Sequence, residues 1–314
     1  MVTGANALSS ILHFSLHYQL LRAMDYTIDD NVLFYAVIKN VKHVLKLIKA
    51  LEIKNVVSLY IHDEGFILTV EDQRAVKAMA YFKLHLFQIF NLKEGAHVPA
   101  LGLPVDVLSN GLRIMLPSSE VANACRLTLP ASVCLHDVTG FRRRLIREPN
   151  SQQHQTMKCE LIPFEPEEES TQLQFEESSN EESQRMIMKA SCMSGSVWFK
   201  DLMNDLDSGY NKVSFTMSPN DPPFRVVAEG TDLLTEADCP QDSEPFINFV
   251  CNRELTFSYL YAHIVQCKRA LDLSNEVSLE MYSNGALRLF FQIEGPLGKL
   301  DTIQFNFLPS NNIT

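Results

Sequence analysis

Residues Glu165–Gln184 read EPEEESTQLQFEESSNEESQ. Eight of these twenty residues are Glu, and none is Lys, Arg or Gly. Such a run cannot bury enough apolar surface to offset the entropy of ordering, so it predicts a solvated, extended connector. Its only large apolar residues are Leu173 and Phe175. The segments on either side are similar in length and in pattern. The alternative, a surface loop inside one domain, does not account for that likeness. The chain therefore reads as an N-terminal extension over residues 1–30, a first domain over 31–164, an acidic connector over 165–184 and a second domain over 185–314.

A length of 314 residues suits two domains, each large enough for its own core. Hydrophobic content of 46% and charged content of 21% fit a globular protein. The net charge of −11 argues, taken alone, against a nucleic-acid binder. Seven Cys stand at 125, 134, 159, 192, 239, 251 and 267, an odd number with no C-x-x-C spacing. That predicts reduced thiols and no zinc site. No apolar run reaches the roughly 18 residues of a membrane span. Within residues 1–30, Ala7–Met24 lacks a basic segment followed by a clean apolar core and makes a poor signal peptide. It suits a short amphipathic helix or a loosely ordered extension.

In the first half, Val32–Ile38 (VLFYAVI) predicts a buried strand. Asn40 can cap a helix from Val41 to about Leu51, with Val41, Val44, Leu45, Ile48 and Leu51 as its apolar stripe. Lys39, Lys42, Lys46 and Lys49 fall within an arc of roughly 80° at about 100° per residue. Between Asn31 and His62 there are five Lys and one acid, Glu52. Such a row suits either a solvated face or a face that meets phosphates. Val56–Ile61 and Phe66–Val70 flank His62-Asp63-Glu64-Gly65 as a hairpin. Met79–Leu92 alternates in part. Pro104 can open a second helix carrying Val105, Leu108, Leu112 and Met115. Phe141–Arg147 is a basic knot, read as an exposed turn between strands.

The second half repeats the order. Met186–Ala190 predicts a strand, and a helix follows to about Leu206, capped by Ser194 or Ser196. Val213–Met217 and Phe224–Ala228 then form a hairpin. Phe246–Cys251 predicts a strand and Phe257–Leu271 a helix. Val277–Tyr282 and Ala286–Ile293 pair through Ser283-Asn284-Gly285, a strong hairpin signal. Ile303–Leu308 is the last strand. Helices alternating with antiparallel hairpins give an α+β class, and the repetition gives a two-domain, pseudo-symmetric body.

Catalytic patterns are missing from the sequence. It contains no G-x-S-x-G, P-loop, G-x-G-x-x-G or H-E-x-x-H motif. A two-metal nuclease needs acids converging in a cleft. Asp63, Glu64, Glu71 and Asp72 are near one another only along the chain and suit a surface turn.

The run Thr216–Arg225 (TMSPNDPPFR) resembles the Rad-one subunits of the nine-one-one checkpoint clamp. Gly65–Asp72, Ala78–Phe82 and Phe87–Phe90 look like the matching stretch of that family's first domain, and Glu165–Glu168 like its linker. The likeness covers roughly residues 31–310. It implies the sliding-clamp fold related to proliferating cell nuclear antigen: a two-domain α+β clamp with antiparallel sheets outside and two helices per domain lining the inner face. It implies a heterotrimeric ring with subunits resembling Rad-nine and Hus-one, set on duplex DNA by a clamp loader and recruiting checkpoint and repair proteins in the nucleus. No cofactor, membrane contact or enzymatic activity is implied. Lys39, Lys42, Lys46 and Lys49 would then face phosphates, with Arg113, Lys200, Lys268 and Arg269 on the other helices. The negative mean charge is then no objection, because a ring holds DNA topologically and needs positive charge only inside. Leu173, Phe175, Leu308 and Pro309 would line a groove for partner peptides. Competing readings are an exonuclease, an activity proposed for relatives, and a homotrimeric replication clamp.

Overall fold

The computed structural model describes residues 11–16, 32–95, 98, 100–114, 125–130, 144–146, 156–160, 162–163, 183–189, 198–239 and 246–310. The chain falls into two compact units, Met1–Thr69 with Tyr81–Glu165, and Val70–Ala80 with Pro166–Thr314. The first half of the chain runs β1 (Ile11–Leu16), β2 (Val32–Ile38), α1 (Val41–Ala50), β3 (Val56–His62), β4 (Gly65–Asp72), β5 (Val76–Lys83), β6 (Phe87–Leu92), β7 (Leu101–Pro104), α2 (Val105–Ile114), β8 (Cys125–Pro130), β9 (Arg144–Ile146), β10 (Thr156–Glu160) and β11 (Ile162–Pro163). The second half runs β12 (Ser183–Lys189), α3 (Trp198–Asp205), β13 (Tyr210–Met217), β14 (Phe224–Gly230), β15 (Leu234–Cys239), β16 (Phe246–Val250), β17 (Leu255–Leu260), α4 (Tyr261–Ile264), α5 (Lys268–Leu273), β18 (Glu276–Tyr282), β19 (Leu287–Glu294) and β20 (Leu300–Phe307).

In the first unit one sheet has the order β6-β2-β8-β1-β10-β9, and a second runs β11-β7-β3-β4. In the second unit one sheet runs β15-β14-β13-β17. The other runs β16-β12-β18-β19-β20, with Val76–Ala80 of β5 beside β20. Two arrangements recur. Strand β2 lies between β6 and β8 as β12 lies between β16 and β18. Strand β3 lies between β4 and β7 as β13 lies between β14 and β17. All these ladders are antiparallel, so the repetition expected from the sequence is a repetition of topology.

Each unit has its own apolar interior. In the first, Phe34, Ile38, Leu59, Phe66 and Leu103 of the strands meet Val44, Ile48, Leu108 and Leu112 of α1 and α2. All are buried, and each such side chain contributes about 1.5–3 kcal/mol by leaving water. In the second, Phe215 stacks on Phe224 at 5.9 Å between centroids and meets Tyr259 at 5.8 Å. The Tyr259 hydroxyl donates to the Gly285 carbonyl at 2.8 Å, which satisfies its one buried polar atom. Cys239, Cys251 and Cys267 are free thiols, and burial pushes Cys267 up to about 12, which keeps it a thiol.

All three predicted hairpins form, and two of them turn at a glycine of positive φ. His62 pairs with Gly65 across the two-residue turn Asp63-Glu64. Gly65 has φ +139°, and a Cβ there would run into the carbonyl of Phe82. At the other of these two, Gly285 has φ +86° and donates to the Tyr282 carbonyl at 2.9 Å.

Several expectations are corrected. Ile11–Leu16, placed in a loose extension, is a strand between β8 and β10. Its alternation of Leu12, Phe14 and Leu16 with His13 and Ser15 is the period-2 pattern of a strand. Met79–Leu92 is two strands separated by a 3₁₀ turn at Leu84–Leu86, where Leu84 is exposed and Leu86 buried. Arg144–Ile146 of the basic knot pairs with β10 and is not a turn. Strand β12 starts at Ser183, inside the acidic stretch, while Glu165–Glu182 lies outside the described residues. Phe257 belongs to β17, and the helix expected there is two short segments joined by a 3₁₀ turn at Val265–Cys267.

Candidate nucleic-acid interface

Helix α1 begins where Asn40 Oδ1 accepts from the His43 backbone N–H at 3.0 Å, the cap expected from the sequence. Val41, Val44, Leu45 and Ile48 are buried as predicted, and His43, Leu47 and Ala50 are buried as well. The helix is enclosed on nearly all sides. Lys42 and Lys46 are its exposed residues, and Lys49 is half-buried. Lys39 stands exposed one residue before the cap, its backbone N–H bonded to the Leu86 carbonyl at 2.9 Å. From Lys42 to Lys49 the rise is about 10 Å along the axis. The first turn of α1 has no acid. Glu52, the single acid of this stretch, accepts from Ser109 Oγ of α2 at 2.9 Å. Among the described residues no ion pair involves Lys39, Lys42 or Lys46. Their charges therefore add into one outward positive row. On α2 the exposed charges are Asp106 in the first turn and Arg113 in the last.

The second unit differs. Lys200 Nζ donates to the Asp272 carbonyl at 3.1 Å and lies 3.4 Å from its carboxylate. Lys268 Nζ reaches the Leu206 carbonyl at 3.4 Å, and the Tyr261 hydroxyl donates to the same oxygen at 2.9 Å. Both lysines thus serve packing of the helix pair, leaving Arg269 as its exposed cation. On and just after α3, Asp201, Asn204, Asp205 and Asp207 are exposed. The eight cations expected on one face therefore divide: Lys39, Lys42, Lys46 and Arg113 point out, Lys49 is half-covered, and two of the remaining three are tied within the second unit.

The residues expected in a peptide groove divide too. Leu308 and Pro309 are buried, Leu308 in a cluster with Tyr282 and Ala286. Leu173 and Phe175 lie outside the described residues. The acids near the first hairpin do not converge. Asp63 and Glu64 are exposed, Glu71 pairs with Lys77 at 3.0 Å, and Asp72 accepts from Gln266 at 2.8 Å. Among the described residues no three His, Cys, Asp or Glu are grouped to hold a metal. Among the described residues no helix is long and apolar enough to cross a membrane.

His263 of α4 is a feature the sequence reading did not single out. It is 3% exposed, and its Nε2 donates to Gln73 Oε1 at 3.0 Å. Its Nδ1 is buried without a hydrogen-bond partner, so a proton added there would find no acceptor. Burial holds this imidazole below its ordinary range, and the nearby Asp72 carboxylate acts the other way without reversing the shift. The unfolded ring titrates near 6.5. Below that pH the unfolded chain binds a proton that the folded unit resists. Stability is therefore full above about pH 6.5 and falls as pH drops through the window beneath it. His263→Gln is expected to flatten the loss of thermal midpoint between pH 7.5 and 5.5. An unchanged pH dependence would remove His263 from that role.

The family described as Repair protein Rad1/Rec1/Rad17 matches residues 33–293. The chain is 24% identical over 287 residues to human Cell cycle checkpoint protein RAD1, across 91% of this chain and 94% of that protein. It is 21% identical over 280 residues to the DNA damage checkpoint control protein rad1 of Schizosaccharomyces pombe, across 85% and 84% respectively. Among solved structures, the PCNA2–PCNA3 complex of Sulfolobus tokodaii matches with a TM-score of 0.61 at 12% identity, over 88% of this chain and 99% of that one. The Proliferating Cellular Nuclear Antigen of Entamoeba histolytica gives 0.61 at 13% identity, over 89% and 99%. At such identities the likeness is one of fold, the α+β architecture of sliding clamps.

Proposed function

This chain belongs to the Rad1/Rec1/Rad17 family of repair proteins, and from that premise we propose that it is one subunit of a heterotrimeric ring that encircles DNA at damage sites. The ring is a platform for checkpoint signalling and repair factors, not an enzyme. It works in the nucleus with two unlike clamp-family subunits and a loader that opens it. The observation that carries this reading is α1, an otherwise enclosed helix whose outward residues are lysines. Phosphate contacts by such a row are independent of sequence and weakened by salt. Repair-protein peptides would dock at Leu173, Phe175, Leu308 and Pro309.

Two other readings are not favoured. An exonuclease needs convergent carboxylates, and those beside the first hairpin are ion-paired, hydrogen-bonded or exposed singly. A homotrimeric replication clamp is supported by fold likeness alone, whereas the sequence relatives carry checkpoint names. The test is assembly and loading. Co-expression with candidate clamp-family partners is expected to give a complex with one copy of each, retained on nicked circular DNA and lost when the circle is cut. A self-trimer, or equal retention on circular and linear DNA, would sink the reading.

A further inference from the structure

The two helix pairs hold the same places in the repeat but carry different charge. Residues 39–55 and 105–114 contain six cations and two acids, whereas residues 198–207 and 261–275 contain three cations and four acids. Local bonding sets which of these charges face outward. In the first unit Ser109 occupies Glu52, so lysines dominate the outward face of α1. In the second, Lys200 and Lys268 are bonded to Asp272 and to the Leu206 carbonyl. What α3 turns outward is Asp201, Asn204 and Asp205, followed by Asp207, whose carboxylate is fixed by the Gly209 N–H at 2.8 Å. Asp205 and Asp207 also sit at the helix C-terminus, where the macrodipole is already negative. Phosphates brought to this face would meet repulsion with one exposed cation, Arg269, to offset it.

We infer that within this subunit duplex DNA rides on the first unit's helix pair alone, and that the second unit's pair is a face that excludes phosphate. The inference rests on the clamp reading and deepens it. This subunit's share of counterion release would then come from Lys39, Lys42, Lys46, Lys49 and Arg113. The acids of α3 would keep the opposing backbone loose, which suits a ring that must slide.

The assembled heterotrimer on nicked circular DNA provides the test. A photo-crosslinking amino acid placed at position 42, and separately at the exposed position of Asn204, is expected to capture DNA from 42 and not from 204. Arg269→Ala is expected to leave the salt slope for a short duplex unchanged, where a true phosphate contact would lower it by about 0.9. Asp201→Asn with Asp205→Asn is expected to tighten binding severalfold. Capture from both positions, with retention on circles, overturns this inference and leaves the clamp reading standing. Capture from neither, without retention on circles, overturns the clamp reading and this inference together.

Discussion

Replacing Lys42 and Lys46 together by Glu is expected to weaken binding of the assembled ring to a short linear duplex by at least about thirtyfold at 0.15 M salt. Each lysine that neutralises a phosphate contributes about 0.9 to the slope of log K against log salt. Referred to 1 M salt, that is about fivefold per lysine at 0.15 M and about thirtyfold for the pair, before any repulsion from the new carboxylates. The slope itself should fall by about 1.8. Fluorescence anisotropy over a salt series measures both. The fold should not suffer. Both positions are exposed on α1, Glu and Lys have similar helix propensity, and a Glu at position 42 lies in a first turn that has no acid. An unchanged thermal midpoint with a collapsed slope is the expected pair of results. A slope unmoved by the double reversal would mean that α1 does not face DNA.

Gly65→Val is the most damaging single substitution expected for the fold. The residue sits at φ +139°, a region that side-chain-bearing residues rarely adopt, and its Cβ would collide with the Phe82 carbonyl. Strain of this kind costs about 1–3 kcal/mol. Moving Phe82 would also disturb its stack on Phe66, at 4.5 Å between centroids, and the Phe66–Phe87 contact at 5.5 Å. A total of about 3 kcal/mol or more is a large part of the 5–15 kcal/mol that holds an ordinary domain together. Chemical denaturation of the full chain should show the first unit's transition shifted far to lower denaturant. Gly95→Ala is the control. Gly95 also has positive φ, +72°, but nothing lies within 4 Å of its would-be Cβ, so a cost of about 1–2 kcal/mol is expected. Equal effects at the two sites would show that the Phe82 contact contributes nothing.

The parts of the molecule written in short-range pattern were legible in the sequence. Asn40 followed by Val41, Val44, Leu45 and Ile48 specifies a capped helix and its buried face without help from the rest of the chain. Asn284-Gly285 and Glu64-Gly65 specify their turns for the same reason. What was not legible depends on distant partners. Lys200 and Lys268 look like outward cations at helical spacing, but their partners lie 72 and 62 residues away. His263 gains its environment from Gln73, 190 residues earlier. Strand β15 (LTEADC) was missed because Leu234, its most apolar residue, is 64% exposed while Cys239 is buried, which inverts the usual alternation signal. The basic knot misled because consecutive arginines read as surface whether or not their backbone is paired.

The segment Val70–Ala80 has a consequence for how the polypeptide can be divided. It lies in the first half of the chain yet clusters with the second unit. There Gln266 holds Asp72, His263 holds Gln73, and the Leu308 N–H donates to the Ala75 carbonyl at 2.9 Å. Severing the peptide backbone anywhere between Glu165 and Ser183 would not release an autonomous C-terminal fragment. That fragment would lack the strand that completes β20, and the N-terminal fragment would keep a hairpin with nowhere to dock. The two pieces should instead co-elute, and expression of either by itself should yield insoluble material.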